Sequence, residues 1–235
     1  MSFWDVFDYG FFGNIYWGEN LSAQDVRMIV IGYILTAVLA YFIGSVNFGV
    51  ILSRKYGTDI REKGSGNAGT TNMFRIYGKR AAMLTFSGDV LKSAVASVVG
   101  RLFFGLFGAY LAGFFCILGH AYPIFFKFRG GKGVVTISVM CLMTNPIVFI
   151  IMLAIFLIVL FGFKMVSLAS IMTMIIYPFV LSRISGNGAH VLIAILSSLL
   201  VIFLHRTNIV RIYRHEETTI SLGKNKGKKN GKDEK

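Results

Sequence analysis

Two glycine-rich segments of this chain combine the residue types that bind phosphate groups. The first, GSGNAGTTN, covers residues 64–72 and is followed by Arg75, and the second, GGKG, covers residues 130–133 and contains Lys132. A glycine-rich turn that leads into a helix exposes consecutive backbone N–H groups, which attract anions. Glycines would also serve a turn with no ligand, but the occurrence of two such segments favours phosphate binding.

The chain lacks the common motifs of nucleotide-binding proteins and hydrolases. It has no GxxxxGK[ST], GxSxG or HExxH spacing and no paired-aspartate metal pattern. The residues five positions after each of the four histidines are apolar, which excludes the HxxxxD arrangement of soluble and peripheral glycerolipid acyltransferases. Cys116 and Cys141 lie in apolar runs without CxxC spacing. We therefore predict no metal and no cofactor, and a reaction that starts from an already activated donor.

The elements that must position these segments are strongly apolar. Hydrophobic residues make up 55% of the 235 residues and charged residues 15%, against about 25% charged in a soluble domain. The net charge of +13 is concentrated in loops and in the lysine-rich C-terminal segment. Beside apolar runs, such charge indicates membrane topology and anionic lipid, and we predict no nucleic-acid partner. The expected fold class is an all-α integral membrane protein.

The apolar pattern predicts about seven transmembrane helices, with the N-terminus outside and the C-terminus in the cytoplasm. Their approximate ranges are 28–52, 81–100, 102–122, 134–143, 147–163, 165–181 and 190–204. This parsing places every basic cluster on the cytoplasmic side, with Arg101 and Arg183 as the exceptions. The fourth run is short for a full crossing, which predicts a tilted or partly unwound segment.

Three regions are expected along the chain. Residues 1–26 interleave Trp, Tyr and Phe and predict an interfacial segment, since they lack the basic start and cleavage site of a signal peptide. Residues 27–217 form the predicted membrane catalytic domain. Residues 218–235 are predicted to be a basic, disordered cytoplasmic tail.

With this topology, polar residues from four separate segments share the cytoplasmic face. They are Ser65, Gly66, Asn67, Gly69, Thr70, Thr71, Asn72 and Arg75; Gly131 and Lys132; Lys164 and Ser167; and His205 and Asn208. Asp89 and Lys92 lie three residues apart inside the second span, where they either pair to orient the helix or contact a substrate. His120, at a span end, is a candidate base or an interfacial hydrogen-bonding residue.

Four segments of the chain, in order, resemble the PlsY-type bacterial glycerol-3-phosphate acyltransferase family. They are GSVNFGVILSRKYGTDIREKGSGNAGTTNMFRIYGK, GHAYPIFFKFRGGKGVVT, KMVSLAS and HRTNIVR, within about residues 44–217. The resemblance implies an integral enzyme of the bacterial plasma membrane with its site at the cytoplasmic face. It implies transfer of an acyl group from acyl phosphate to glycerol 3-phosphate, giving lysophosphatidic acid, with a substrate phosphate assisting deprotonation.

The resemblance also implies roles for the candidate residues. Ser65 and the amides around Gly66, Asn67 and Gly69 would bind the acyl-phosphate headgroup. Arg75, Lys132 and Ser167 would bind glycerol 3-phosphate, and His205 and Asn208 would complete the site. The further substrate-binding candidates are Thr71, Asn72, Gly131 and Lys92.

The chain departs from the family pattern at three places. Asn47 stands where the first motif commonly has proline, Lys164-Met165 where the third corner commonly has Arg-Tyr, and His215 where the last motif commonly has glycine. The second departure lies close to the expected substrate contacts and leaves the orientation of the acceptor open.

Two other membrane functions fit parts of the pattern. A transporter of an anionic phosphorylated metabolite would also need cations, but it would place polar groups at the midplane and repeat its fold. A CDP-alcohol phosphotransferase would need a spaced cluster of metal-binding aspartates, whereas the membrane region has only Asp59 and Asp89. The sequence is compatible with a monomer and does not determine the oligomeric state or the preferred acyl-chain length.

Overall fold

The computed structural model describes residues 9–11 and 21–219, and the regular elements in these ranges are helical. We number the longer helices α1 (Ala23–Ser45), α2 (Phe48–Lys55), α3 (Thr70–Ala121), α4 (Val134–Thr144), α5 (Pro146–Phe163), α6 (Val166–Ser185), α7 (Gly188–Leu204) and α8 (Arg206–Tyr213). Short 3-10 turns lie at Ile60–Glu62 and Ile124–Phe126. Most of the predicted aromatic N-terminal segment and all but two residues of the predicted tail lie outside the described ranges.

Several of the described helices are long and apolar enough to cross a membrane. Four such stretches run over Ala23–Lys55, Thr70–Phe126, Pro146–Phe163 and Val166–Ser185, and a fifth is obtained if α7 and α8, bent by 57°, count as one span. The protein is therefore a multi-pass, all-helical membrane protein over its described part. The count of seven spans and the orientation of the termini remain predictions.

The long helix α3 is broken twice. Gly78 has φ 80°, and Phe104 and Gly105 also leave the helical region, which divides α3 into residues 70–77 (α3a), 79–103 (α3b) and 106–121 (α3c). A Cβ atom on Gly100 would collide with the carbonyl of Gly108, so the backbones of α3b and α3c touch beside the second break. The two segments form a hairpin whose bend lies near the boundary predicted at residues 100–102.

Helix α4 has 11 residues and is about 16 Å long, roughly half of the hydrocarbon thickness of a bilayer. The residues before it are not helical: Gly130 and Gly131 donate their N–H groups to the carbonyls of Ala121 and His120 at the end of α3c. At its other end Asn145 caps α5 by accepting from the N–H of Val148 at 3.1 Å.

The largest apolar core joins α3c, α4, α5, α6 and α7. Tyr110, Met140, Val148, Tyr177 and Val201 are among its fully or almost fully buried side chains. Helix α5 buries little of its own surface and exposes a row of large apolar side chains, as expected of a helix that faces lipid. The starts of α3, α4 and α6 and the end of α7 lie together at one end of the bundle.

Candidate active site

A cavity of about 280 Å³ lies at this end of the helix bundle. Ten of the predicted site residues line it: Ser65, Asn67, Gly69, Thr71, Asn72, Arg75, Lys132, Ser167, His205 and Asn208. They come from four segments that are distant in sequence. Three other candidates, Gly66, Gly131 and Lys92, are not part of the lining, and their contacts give them different roles.

Asn72 organises the first glycine-rich loop. Its Nδ2 shares two hydrogens among the carbonyls of Lys63 at 2.9 Å, Asn67 at 3.0 Å and Ile60 at 3.3 Å, while its Oδ1 accepts from the N–H of Ser65 at 3.0 Å. The side chain is buried, and these bonds use both hydrogens of its amide and its oxygen within the loop. We therefore revise the predicted role of Asn72 from substrate contact to support of the loop.

Gly66 also shapes the loop. Its φ of 72° lies in the left-handed region that favours glycine, and its N–H donates to the carbonyl of Lys63 at 3.0 Å. Because this amide is already bonded within the turn, Gly66 does not offer it to a phosphate. Its predicted contact with the donor headgroup is revised accordingly.

The start of α3 presents free donors to the cavity. Gly69 is the N-cap and makes no side-chain capping bond, so the first backbone N–H groups of the helix are available to an anion. The hydroxyl of Thr70 is buried and has no hydrogen-bond partner among the described residues. Arg75 follows about one turn later, exposed and lining the same cavity. This end of α3 is therefore suited to bind phosphate.

Arg61 connects the two glycine-rich loops. Its guanidinium group binds both carboxylate oxygens of Asp59 at 2.9 Å and 2.6 Å and donates to the carbonyls of Phe126 at 2.6 Å and Arg129 at 3.1 Å. The hydrogen bond from Arg61 lowers the pKa of Asp59 below its usual value, against the effect of burial. This clamp sets the distance between the loop before α3 and the loop before α4.

Lys132 enters the cavity from the second loop. Its half-buried ammonium group donates a hydrogen bond to Oδ1 of Asn208. Burial lowers the pKa of Lys132 to about 8, and the positive charges of Arg211 and Arg75 act in the same direction, while Glu217 opposes them. Because Lys132 is partly desolvated beside other cations, a bound anion would relieve the repulsion among them.

Glu217 links three residues of the cavity wall. Its Oε1 accepts from the hydroxyl of Ser167 and from Nδ2 of Asn208, both at 2.8 Å, and its Oε2 accepts from Nε of Arg211 at 2.8 Å. Burial raises the pKa of Glu217, but the bonds from Arg211, Asn208 and Ser167 outweigh it, and the net shift is downward. The carboxylate therefore stays charged and supports the donors around it.

Arg211 and Glu217 are residues of this site that were not predicted from the sequence. Both lie in a charged stretch after the last apolar run, where cations and carboxylates are common on a solvated surface. The spacing of three residues between Asn208 and Arg211 places both on one face of α8, which is the sequence signal that could have indicated Arg211.

His205 stands at the bend between α7 and α8. Its Nδ1 lies 2.7 Å from the carbonyl oxygen of Val201, so that nitrogen carries the proton and donates. In the neutral ring this leaves Nε2 as an acceptor, in a side chain that is buried and lines the cavity.

Asp89, Lys92 and His120 form a buried cluster at the wall of the cavity. Their exposed fractions are 1%, 5% and 3%. Lys92 Nζ lies 2.9 Å from Oδ1 of Asp89, 2.8 Å from Nδ1 of His120 and 2.9 Å from the carbonyl oxygen of Val46. Asp89 and His120 line the cavity but Lys92 does not. The structure thus shows the pairing that the sequence left open, and it does not support the predicted contact of Lys92 with a substrate.

A second, apolar cavity of about 420 Å³ adjoins the first. The two share Phe86, Val134, Val135, Phe156 and Ser170 in their linings. From this shared region the apolar cavity extends along α6 from Ser170 to Tyr177, which is about 10 Å at 1.5 Å per residue. It also runs towards Leu142 on α4 and towards Phe149 on α5. A cavity with cationic and hydroxyl side chains therefore adjoins an apolar one that lies between membrane helices.

Comparisons with known proteins agree with this arrangement. Residues 34–215 match the family profile described as glycerol-3-phosphate acyltransferase. The chain belongs to the glycerol-3-phosphate acyltransferase family. The family that the four sequence segments predicted is thereby confirmed.

Curated relatives and solved structures of this family match nearly their whole length. The glycerol-3-phosphate acyltransferase of Bacillus subtilis is 41% identical over 79% of this chain and 96% of that protein, and the one of Clostridioides difficile is 37% identical over 84% and 100%. The crystal structure of PlsY (YgiH), an integral membrane glycerol 3-phosphate acyltransferase, in its glycerol 3-phosphate form superposes with a TM-score of 0.77. It is 32% identical and covers 80% of this chain and 96% of that chain. The lysophosphatidic acid form gives a TM-score of 0.74 at 32% identity, over 80% and 95%.

Two departures from the family pattern have a local structural explanation. Asn47 lies at the break between α1 and α2 and accepts from the N–H of Val50 at 3.1 Å, so it starts α2 as an N-cap. His215 has φ 58°, in the left-handed region that glycine occupies most easily. At both positions the backbone of this chain accommodates the side chain found here.

Proposed function

We propose that this protein transfers a fatty acyl group from acyl phosphate to the sn-1 hydroxyl of glycerol 3-phosphate. The products are lysophosphatidic acid and inorganic phosphate. The observation that carries this proposal is that two cavities adjoin and share lining residues: a polar cavity lined by Arg75 and Lys132, and an apolar cavity between membrane helices. Acyl phosphate would place its phosphate in the polar cavity and its acyl chain in the apolar cavity. The phosphate of glycerol 3-phosphate would also lie in the polar cavity.

We assign the donor phosphate to the start of α3. The hydroxyl of Ser65, the uncapped N–H groups after Gly69 and the hydroxyl of Thr71 would bind it. The acyl chain would leave this polar region past Phe86 and Phe156 and lie in the apolar cavity, where its burial contributes to donor affinity.

We assign the phosphate of glycerol 3-phosphate to Arg75 and Lys132. A guanidinium group and an ammonium group that line one cavity are suited to bind a dianion through charge-assisted hydrogen bonds. Ser167 and Asn208, fixed by Glu217, and His205 would orient the glycerol hydroxyl groups.

The chemistry needs positioning and charge stabilisation more than it needs a strong base. The sn-1 oxygen forms a bond to the acyl carbon, the bond between that carbon and the phosphate oxygen breaks, and phosphate leaves with the electron pair. The proton of the attacking hydroxyl goes to a substrate phosphate. Acyl phosphate is a mixed anhydride, so alignment of the reactants and neutralisation of two phosphates supply most of the rate enhancement.

The location of the site follows from the predicted topology. With the N-terminus outside, the polar cavity lies at the cytoplasmic face of a bacterial plasma membrane, where soluble glycerol 3-phosphate reaches it directly. The acyl donor would enter from the inner leaflet between the helices that line the apolar cavity. The PlsY structures in glycerol 3-phosphate and lysophosphatidic acid forms support the same pair of small molecules here.

A donor comparison on purified protein tests the proposal. The protein is incubated with glycerol 3-phosphate and either acyl phosphate or acyl-CoA of the same chain length, and lysophosphatidic acid is measured by mass spectrometry. We expect product with acyl phosphate only. Product from acyl-CoA alone would contradict the donor assignment, and no product from either would favour the transporter of a phosphorylated metabolite.

A matched pair of arginine variants tests the site. Arg75→Ala removes a cation of the cavity, whereas Arg80→Ala removes an exposed cation that is not part of the cavity lining. We expect Arg75→Ala to lose most of the activity and Arg80→Ala to keep it. Near-wild-type turnover by purified Arg75→Ala would contradict the site assignment.

A further inference from the structure

We propose that the buried cluster of Asp89, Lys92 and His120 positions the GGKG loop, so that Lys132 meets the acceptor phosphate. This inference rests on the proposed function and adds three positioning residues to it. None of the three is assigned a direct contact with the reacting atoms.

The Lys92 ammonium group is surrounded by partners inside the protein, with which it makes two hydrogen bonds and one ion pair. An ammonium group donates and cannot accept, and the three acceptors around it are Asp89 Oδ1, His120 Nδ1 and the carbonyl oxygen of Val46, each within 2.9 Å. The ammonium group is thus directed towards these partners, and Lys92 does not line the cavity. Lys92 therefore acts on the site through the groups that it binds.

These acceptors belong to three different parts of the bundle. Asp89 lies in α3b, His120 near the end of α3c, and Val46 at the break between α1 and α2. Ionised groups at this depth are costly unless each is paired, so the cluster locks the three parts in one relative arrangement. The ring of His120 cannot shift without leaving Lys92 with an unpaired donor.

His120 transmits this constraint to the second loop. Its carbonyl oxygen accepts the N–H of Gly131 at 3.1 Å, and the neighbouring carbonyl of Ala121 accepts the N–H of Gly130 at 3.0 Å. A Cβ atom on Gly131 would collide with Nε2 of His120, so the loop backbone packs directly on the imidazole. Lys132 follows at once in the chain.

The tautomer of His120 follows from the same geometry. Because Lys92 donates to Nδ1, a neutral His120 carries its proton on Nε2, the atom nearest to Gly131. The His120 ring thus faces the GGKG loop with its Nε2 edge, which gives the contact between the ring and Gly131 a single orientation.

The test separates positioning from stability with a charge-neutral double variant. Asp89→Asn with Lys92→Met removes both buried charges together, so neither is left unpaired, while Lys92→Met alone leaves Asp89 without its partner. Ser97→Ala is the matched control, because Ser97 is also buried in α3b but has no hydrogen-bond partner among the described residues. The readouts are the KM for each substrate, kcat and the thermal midpoint in detergent.

We expect the double variant to fold and to raise the KM for glycerol 3-phosphate about 10- to 100-fold, the range that follows from a displacement of about 1 Å in a positioned group. The KM for acyl phosphate should change less than about threefold, since the start of α3 is built independently of Lys92. Ser97→Ala should match the wild type. A wild-type KM for glycerol 3-phosphate, or equal increases for both substrates, would overturn the proposal.

Gly131→Ala keeps the proposal testable if the double variant fails to fold. It leaves the three charged and polar partners unchanged and presses a methyl group against His120, so it should produce the same selective increase in KM. A wild-type KM for glycerol 3-phosphate in Gly131→Ala would overturn the positioning role.

Failure of the inference is distinguishable from failure of the proposed function. If wild-type protein forms no lysophosphatidic acid, the proposed reaction is wrong whatever the variants do. Thermal stabilisation by glycerol 3-phosphate then still compares binding in the wild type and the variants without any reaction. Equal stabilisation in the wild type and Gly131→Ala would contradict the positioning role by itself.

Discussion

The lowered pKa of Lys132 leads to a quantitative prediction of how the binding of glycerol 3-phosphate depends on pH. Burial and the neighbouring cations lower this pKa to about 8, so the ammonium group that we propose to bind the acceptor phosphate loses its proton in the mildly alkaline range. A group with a lowered pKa is charged below that value and neutral above it. Binding of glycerol 3-phosphate should therefore weaken as the pH rises through 8.

The expected size follows from the charged fraction. With a pKa of about 8, roughly nine-tenths of the Lys132 side chains are charged at pH 7 and roughly one-tenth at pH 9, so kcat/KM for glycerol 3-phosphate should fall about tenfold. Bound dianionic substrate favours the charged form, so the corresponding decline in kcat should begin at a higher pH.

Two substitutions at this position separate the charge from its titration. Lys132→Met removes the charge at every pH and should raise the KM for glycerol 3-phosphate about 10- to 150-fold, as expected for a lost charge-assisted bond of about 1.5–3 kcal/mol. Lys132→Arg keeps a charge throughout, so its alkaline decline between pH 7 and pH 9 should disappear. It also controls for titration of the substrates, and spontaneous hydrolysis of acyl phosphate is measured without protein.

Initial rates across the pH series, with glycerol 3-phosphate varied at saturating acyl phosphate, give the required kcat/KM. An alkaline decline in Lys132→Arg as steep as that of the wild type would refute the assignment to Lys132. A wild-type KM in Lys132→Met would refute its role in acceptor binding.

Three further predictions address the surroundings of this lysine. Glu217 raises the pKa of Lys132, so Glu217→Gln should move the alkaline decline in kcat/KM to lower pH, and an unchanged decline would contradict that coupling. Asn72→Ala leaves buried backbone groups of the first loop unpaired, so it should lower the thermal midpoint of the protein. It should also raise the KM for acyl phosphate more than the KM for glycerol 3-phosphate. Met174→Trp should fill part of the apolar cavity and shift the chain-length preference in a C12-to-C18 acyl phosphate series towards shorter chains. Met172→Trp, on the exposed side of α6, is the control and should leave the chain-length profile unchanged. The same profile in both tryptophan variants would show that the acyl chain does not use this cavity.

Much of the candidate site could be predicted from the sequence because its chemistry is local. A glycine-rich turn before a helix already exposes amides to an anion, and the cations Arg75 and Lys132 stand close to such turns. The apolar runs likewise indicate helices without knowledge of their neighbours, since the bilayer demands internal hydrogen bonding. These features needed no long-range contact to be recognised.

Which candidate residues contact a substrate and which support the site depends on tertiary contacts, so it could not be predicted from local sequence patterns. Asn72 and Gly66 have the residue types of ligands, but partners within the folded loop use their donors. Lys92 also has the residue type of a substrate ligand, but its ammonium group donates to the carbonyl of Val46 and to His120, which are distant in sequence. Glu217 depends likewise on the arrangement of α6 and α8 around it.

The measurement that tests the central claim most directly is the stoichiometry of phosphate release. Purified protein is supplied with acyl phosphate and glycerol 3-phosphate, and inorganic phosphate and lysophosphatidic acid are quantified in the same samples. If one cavity aligns the two substrates for direct transfer, one phosphate should appear for each lysophosphatidic acid, and enzyme-dependent release should stop without glycerol 3-phosphate. Rapid phosphate release without the acceptor, or lysophosphatidic acid formed without phosphate, would contradict the account.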